Sequence, residues 1–225
     1  MTIGIFTAME KEARSFLREG TYTHIKDGNF DIYGFLLGTH NAVLCCPPSV
    51  GEIAAASACQ LLIGKYNADV IFNFGIAGAL TEQTSLLSSV IVGSVVHYDM
   101  DVTQIDENTA VGRYECFDDV AVDCDRDLIC AALKIANLPV VKCASADKFV
   151  SAADQKTALR QNFGAEICDM ESAGILFACK FNNVPCLMIK SISDSLFGGS
   201  GEYRQNAVKA AEGFFNLASA ICANL

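Results

Sequence analysis

Short apolar runs alternate along the chain with segments of helical period. Thr2–Phe6 is a run of strand length, and Thr7-Ala8-Met9 turns from it into a helix over Glu10–Leu17. Residues 21–46 read as antiparallel strands about the hairpin signal Asp27-Gly28-Asn29, and Pro47-Pro48 breaks the pattern. An alanine-rich helix follows from about Glu52 to Tyr66. Asp69–Gly75 is a buried strand ending in Gly75-Ile76-Ala77-Gly78-Ala79, where bare backbone can approach a ligand closely. Ser89–His97 is a long strand, and an acidic, irregular segment then runs to about Asp119. A helix over Asp125–Ala136, a strand over Leu138–Ser145 and a short helix over Ala152–Gln161 come next.

Residues 166–194 carry the densest signal. Asp169-Met170-Glu171 opens a largely apolar helix, and Pro185 ends the helical stretch because it lacks a donor and disfavours helix at Val184. Cys186–Ile189 is a continuous apolar run, the mark of a strand buried on both faces, and it stops at Lys190-Ser191-Ile192-Ser193-Asp194. Gly198–Gly201 reads as a flexible loop, and Glu202–Asn224 as one closing amphipathic helix. The alternation, with antiparallel strands near the start, predicts a single three-layer α/β/α domain over residues 1–225 with a central mixed sheet.

Composition narrows the function. Hydrophobic residues make up 52% of 225 and mean hydropathy is +0.32, so the chain can build a core and a pocket. A formal charge of −10 disfavours nucleic acid as a partner. No apolar run is long enough to span a membrane, and MTIGIFTAMEKEA lacks a secretory pattern, so a cytoplasmic location is expected. The eleven cysteines lie mostly in apolar runs without zinc-ligand spacing, and they read as reduced, buried small hydrophobes. His24, His40 and His97 are isolated and read as structural.

In open α/β sheets ligands bind beyond the carboxyl ends of strands, which is where Asp194 is expected. Glu171 begins the helix leading back to it. Each has an ordinary alternative role, Asp194 as a turn or cap residue and Glu171 as a charge suited to the helix dipole. Glu10 and Glu12 share a helical first turn but point different ways, so only one can face the end of the sheet. Glu10 is assigned to the dipole. Phe149, just past a strand end, could stack on a flat ligand or fill the core.

Taken together, GIFTAMEKEA, FNFGIAGAL, VGSVVHYDMDVT, SADKFV, DMESAGI and KSISD resemble, in order and nearly end to end, the bacterial 5'-methylthioadenosine/S-adenosylhomocysteine nucleosidases of the nucleoside phosphorylase superfamily. The resemblance implies a nucleoside phosphorylase-like fold, a homodimer and no metal or organic cofactor. It implies that Glu12 activates water, and that Asp194, oriented by Ser193, protonates N7 of adenine. Met170 and Glu171 would contact the ribose, Phe149 would stack on the purine, and the Val150 backbone would bond the base edge. Met9 belongs to the A-M-x-x-E motif of the same site. The implied reaction is hydrolysis to adenine and a thioribose, relieving product inhibition of methyl transfer and polyamine synthesis. It needs one carboxyl to give a proton while another accepts one, so a raised pKa is expected at Asp194 and one low enough to accept a proton at Glu12.

Three positions depart from the family pattern. Ile76 replaces a small hydroxyl residue near the water, Lys190 replaces an arginine, and residues 104–114 do not match the aromatic-rich segment that covers the 5' tail. Three alternatives stay open on these grounds: a phosphorolytic enzyme of the superfamily, a hydrolase for another 6-aminopurine nucleoside of futalosine type, and a non-catalytic nucleoside-binding protein.

Overall fold

The computed structural model describes residues 1–17 and 21–224. The first half runs β1 (Thr2–Phe6), α1 (Glu10–Leu17), β2 (Thr23–Asp27), β3 (Phe30–Leu37), β4 (His40–Cys46), α2 (Glu52–Gly64), β5 (Val70–Ala79), β6 (Ser89–His97) and β7 (Val122–Asp123). The second half runs α3 (Arg126–Ile135), β8 (Val140–Ser145), α4 (Ala153–Phe163), β9 (Ile167–Asp169), α5 (Ser172–Asn182), β10 (Cys186–Asp194), α6 (Gly199–Ala210) and α7 (Phe214–Cys222).

The ten described strands form one mixed sheet in the order β10-β6-β8-β9-β5-β1-β4-β3-β2, with β7 on β6. β10 also pairs with β5, so one end of the sheet curls back on itself. β5 and β10 are buried at every position, as central strands covered on both faces must be. Helices α2 and α5 pack together in one apolar cluster with Ala55, Ala58, Leu62, Ile175 and Leu176. On the opposite face α1, α3 and α7 supply Phe16, Ala132, Phe214, Ala218 and Ile221 to a second cluster. This is the expected three-layer arrangement.

Several boundaries move, for physical reasons. The last core strand closes at Asp194 as expected, whereas the glycine segment after Gly75 is strand to Ala79. These two stretches pair in parallel, Lys190 opposite Gly75 and Asp194 opposite Gly78, with an irregularity between Ile192 and Asp194. Strand pairing satisfies backbone groups that a loop would leave buried and unpaired. The closing helix is two helices, broken at Gly213 (φ 89°), and α6 begins at Gly199, inside the segment expected to be a loop. Glu171 is the N-cap of α5 rather than a first-turn residue, and it makes no side-chain cap bond. The short strands β7 and β9 were too brief to read from periodicity.

Candidate active site

A cleft of about 550 Å³, its open mouth included, lies at the carboxyl ends of β5 and β10. Met9, Ile76, Phe149, Val150, Met170, Glu171, Ser193 and Asp194 line it, with Gly78, Asp169 and Tyr203 among their neighbours. Glu12 and Lys190 lie directly behind this lining, both buried. Chain segments from five different elements therefore converge where sequence order alone keeps them far apart.

Glu12 is fixed by backbone donors. Its Oε2 accepts from the amides of Ala8 (2.9 Å) and Met9 (3.1 Å), and its Oε1 from the amide of Ile76 (3.2 Å). Burial pushes its carboxyl up, and the charge of Lys190 and these three amides only partly offset that. Desolvation wins, so Glu12 holds a proton more tightly than an ordinary glutamate. Glu10, by contrast, is exposed in the first turn of α1 and pairs with Arg14 at 2.9 Å.

Asp194 is 2% exposed. Its Oδ1 accepts from the Ser193 hydroxyl at 2.7 Å, and its Oδ2 from Lys156 Nζ at 2.5 Å. Gly78 is required opposite it, since a Cβ there would sit 2.9 Å from Asp194 Oδ2. The ion pair with Lys156 is absent from the expectations above. A signal for it existed: Lys156 lies three residues before Leu159, on the buried face of an otherwise polar helix.

Glu171 and Lys190 belong to a buried acidic network under the cleft. Glu171 Oε1 accepts from the Gly51 amide at 2.9 Å, a contact that Gly51 allows at φ 109°. Burial, and then the charge of Asp169, push Glu171 up to about 8, against Lys190 and the Gly51 amide. Burial alone would also raise Asp169. Lys190 Nζ, 2.7 Å away, outweighs it together with the hydroxyls of Ser145 and Ser172 and holds Asp169 below the usual range. Lys190 is held above its ordinary value, since Asp169 and Glu171 overcome desolvation.

Glu52, from sequence simply the start of a helix, completes the network. The Ser145 hydroxyl lies between Glu52 Oε1 (2.5 Å) and Asp169 Oδ1 (2.6 Å). One hydroxyl proton serves one acceptor, so the other carboxyl must carry its own proton. Burial and the charge of Asp169 push Glu52 up to about 7, which makes Glu52 that carrier. Glu52 and Glu171 bind protons more tightly folded than unfolded, so stability falls as pH rises from about 4.5 towards about 8. Glu52→Gln should flatten this decline between pH 5 and 8 in thermal unfolding. An unchanged slope would show Glu52 already ionised at pH 5.

Phe149 is 42% exposed at the mouth, with its ring 5.1 Å from Tyr203 at 68°. Lys11 Nζ donates to the Tyr203 hydroxyl at 3.1 Å and sits 4.6 Å from its ring centroid. Tyr203 was not among the expected site residues, because nothing in the pattern of α6 distinguishes it. The segment 98–119 folds through turns, and its Tyr114 bonds His97 Nδ1 at 2.7 Å and packs with Phe117 and Phe177.

Known proteins agree with this architecture. Residues 2–223 match the family described as "Phosphorylase superfamily". The chain is 31% identical to a 5'-methylthioadenosine/S-adenosylhomocysteine nucleosidase of Maridesulfovibrio salexigens, over 94% of each chain. It is 26% identical to an aminodeoxyfutalosine nucleosidase of Campylobacter jejuni, over 86% of each chain. A Helicobacter pylori 5'-methylthioadenosine/S-adenosylhomocysteine nucleosidase crystallised with butyl-thio-DADMe-Immucillin-A shares the fold: the TM-score is 0.93 at 22% identity, covering 100% of this chain and 99% of that one. With the cleft, the strand ends and these likenesses in agreement, the chain belongs to the phosphorylase superfamily and, within it, to the 5'-methylthioadenosine/S-adenosylhomocysteine nucleosidases.

Proposed function

We propose that this protein hydrolyses the N-glycosidic bond of 5'-methylthioadenosine and S-adenosylhomocysteine, releasing adenine and the matching 5-thioribose. The observation that carries the reading is the pair of buried carboxyls anchored to one strand. Glu12 bonds the Ile76 amide and Asp194 sits against Gly78, two residues further along β5. Both carboxyls are thus held against the same end of β5, as a proton donor and a water-activating base acting on one sugar require.

Asp194, aligned by Ser193, donates its proton to the purine as the glycosidic electron pair moves onto the base. Glu12 accepts a proton from water attacking the anomeric carbon. Its raised proton affinity brings it closer to neutral pH, where a general base is most effective. Glu171, with Met170 beside it, binds the ribose hydroxyls. Phe149 stacks on the base, and the Val150 backbone bonds its edge. Met9 and Ile76 close the floor. Lys190 acts through Asp169 and Glu171 rather than on the substrate. Residues 1–225 act as one domain without a cofactor.

Hydrolysis is favoured over phosphorolysis by charge. Among the described lining residues Lys148 is the cation, and it is exposed, whereas Lys190 is committed to Asp169. An attacking phosphate would meet Glu12 instead. Product analysis with methylthioadenosine, with and without phosphate, should give adenine and free methylthioribose in both arms. A pentose 1-phosphate product would overturn the hydrolytic reading. A second reading, hydrolysis of aminodeoxyfutalosine, is supported by the Campylobacter relative and by the altered segment 104–114. A substrate panel varying only the 5' group separates the two.

The finer settings are proposals of the same kind. A homodimer is supported by exposed Val50 and Ile53 at the start of α2 and by exposed Phe181 on the adjacent α5. A monomeric mass in sedimentation would remove it. A cytoplasmic place in methionine salvage is supported by eleven free thiols, nine of them buried, which suit a reducing compartment. No described helix is long and apolar enough to cross a membrane.

A further inference from the structure

The hydrolytic scheme uses Asp194 but gives no part to the cation that holds it. Lys156, on α4, is wholly buried, and its Nζ reaches both Asp194 Oδ2 at 2.5 Å and the Ser195 carbonyl at 2.7 Å. The two side chains are 0% and 2% exposed, so both are withdrawn from bulk water. Taking an ammonium out of water costs several kcal/mol. Packing alone would be met by an apolar residue one turn before Leu159. The ammonium therefore needs an electrostatic explanation, and its partner is the group assigned to donate the proton.

We propose that Lys156 is a positioning residue that acts through Asp194, orienting its carboxyl and setting the pH range over which it delivers a proton. The proposal rests on the nucleosidase reading. One lone pair on Asp194 Oδ1 is taken by Ser193 and one on Oδ2 by Lys156, which fixes the carboxyl plane and leaves the remaining sites for the proton. In the reaction the Asp194 O–H bond breaks and an N–H bond forms at the purine. The glycosidic electron pair goes to the base, and negative charge develops on Asp194 beside the ammonium. That charge is stabilised where it appears, in a dry site, so the ammonium favours the transfer. It equally favours loss of the same proton to solvent, which limits activity on the alkaline side.

The other groups facing Asp194 are few. β9 brings the Cys168 thiol, whose proton affinity burial raises, and β10 brings the Ser193 hydroxyl. From α6, Glu202 accepts from the Ser195 amide at 2.7 Å and is held below its ordinary value mainly by that bond. Asp169 and Glu171 line the same cleft.

The test is the pH dependence of kcat for adenine release in the intact protein. Lys156→Met should lower kcat at neutral pH, change KM little, and move the alkaline limb upward by about 1–3 pH units. Lys156→Arg should keep the limb at its wild-type place, since the charge remains. Lys156→Gln carries the same readout if the Met variant does not fold. A folded neutral variant whose alkaline limb coincides with that of the wild type overturns the proposal, as does an Arg variant that shifts as far as Met. If the wild-type protein releases no adenine, the nucleosidase reading fails and this proposal falls with it. A normal wild type with an unmoved limb removes only the role of Lys156.

Discussion

Asp194→Asn lowers kcat for adenine release by about 10²–10⁴-fold, the usual worth of a positioned general acid. KM changes little, because the lost interaction acts in the transition state rather than in binding. The substitution keeps the shape of the side chain and its place against Gly78, but an amide cannot give a proton to a purine nitrogen. It also strands the Lys156 ammonium without its counter-charge in a site that is 0% exposed. Breaking such a buried pair costs about 3–5 kcal/mol, so a fall in Tm accompanies the loss of activity. The double variant Asp194→Asn, Lys156→Met separates the two effects. It should recover much of the Tm and none of the kcat. Recovery of both would mean that Asp194 serves stability, and near-wild-type kcat in the single variant would remove the acid from the scheme.

The parts of the site that were legible in the sequence are those written in short, local signals. The strand over Cys186–Ile189 announces itself as an unbroken apolar run, and an acidic residue close after it is informative because strand ends gather ligands. Glu12 could be separated from Glu10 because two residues of helix turn a side chain to a different side. In the structure Glu10 is exposed and Glu12 is 1% exposed. What the sequence concealed is what depends on pairing across long separations. The glycine segment after Gly75 looks like a loop until Lys190 and Asp194 come opposite Gly75 and Gly78. The glycine segment then becomes strand, because β10 supplies hydrogen bonds that no local pattern encodes.

The same limit explains the electrostatics. That Glu12 must be able to accept a proton is a sound expectation from chemistry alone. Its proton affinity, however, follows burial and neighbours. Glu12 is desolvated more than Lys190 and its amide donors compensate, and the lysine that holds Asp194 is 38 residues away in sequence. Glu52 reads from sequence as an ordinary first-turn glutamate. It becomes a proton carrier only because Ser145, 93 residues away, stands between it and Asp169.

Glu12→Gln should be the most damaging substitution after Asp194→Asn, again about 10²–10⁴-fold in kcat. The amide preserves the side-chain volume but removes the acceptor on which the attacking water depends. It also sets one –NH₂ against backbone N–H donors. Ala8, Met9 and Ile76 all donate to the carboxylate, at 2.9, 3.1 and 3.2 Å, and an amide nitrogen placed at either oxygen position meets one or two of them as a second donor. Some loss of Tm is therefore expected, and Glu12→Asp separates chemistry from packing. It keeps the charge but withdraws it by one methylene, so its kcat should lie between wild type and Gln. The pH profile adds an independent check. Burial raises the proton affinity of Glu12, so the acidic limb of kcat/KM should lie above 4.5, the ordinary value for a glutamate. The sign follows from the base being active only when ionised: activity is lost as pH falls through the raised value. In Glu12→Gln the residual activity should no longer show that limb. If it persists unchanged, another group accepts the proton from water, and the role assigned to Glu12 is wrong.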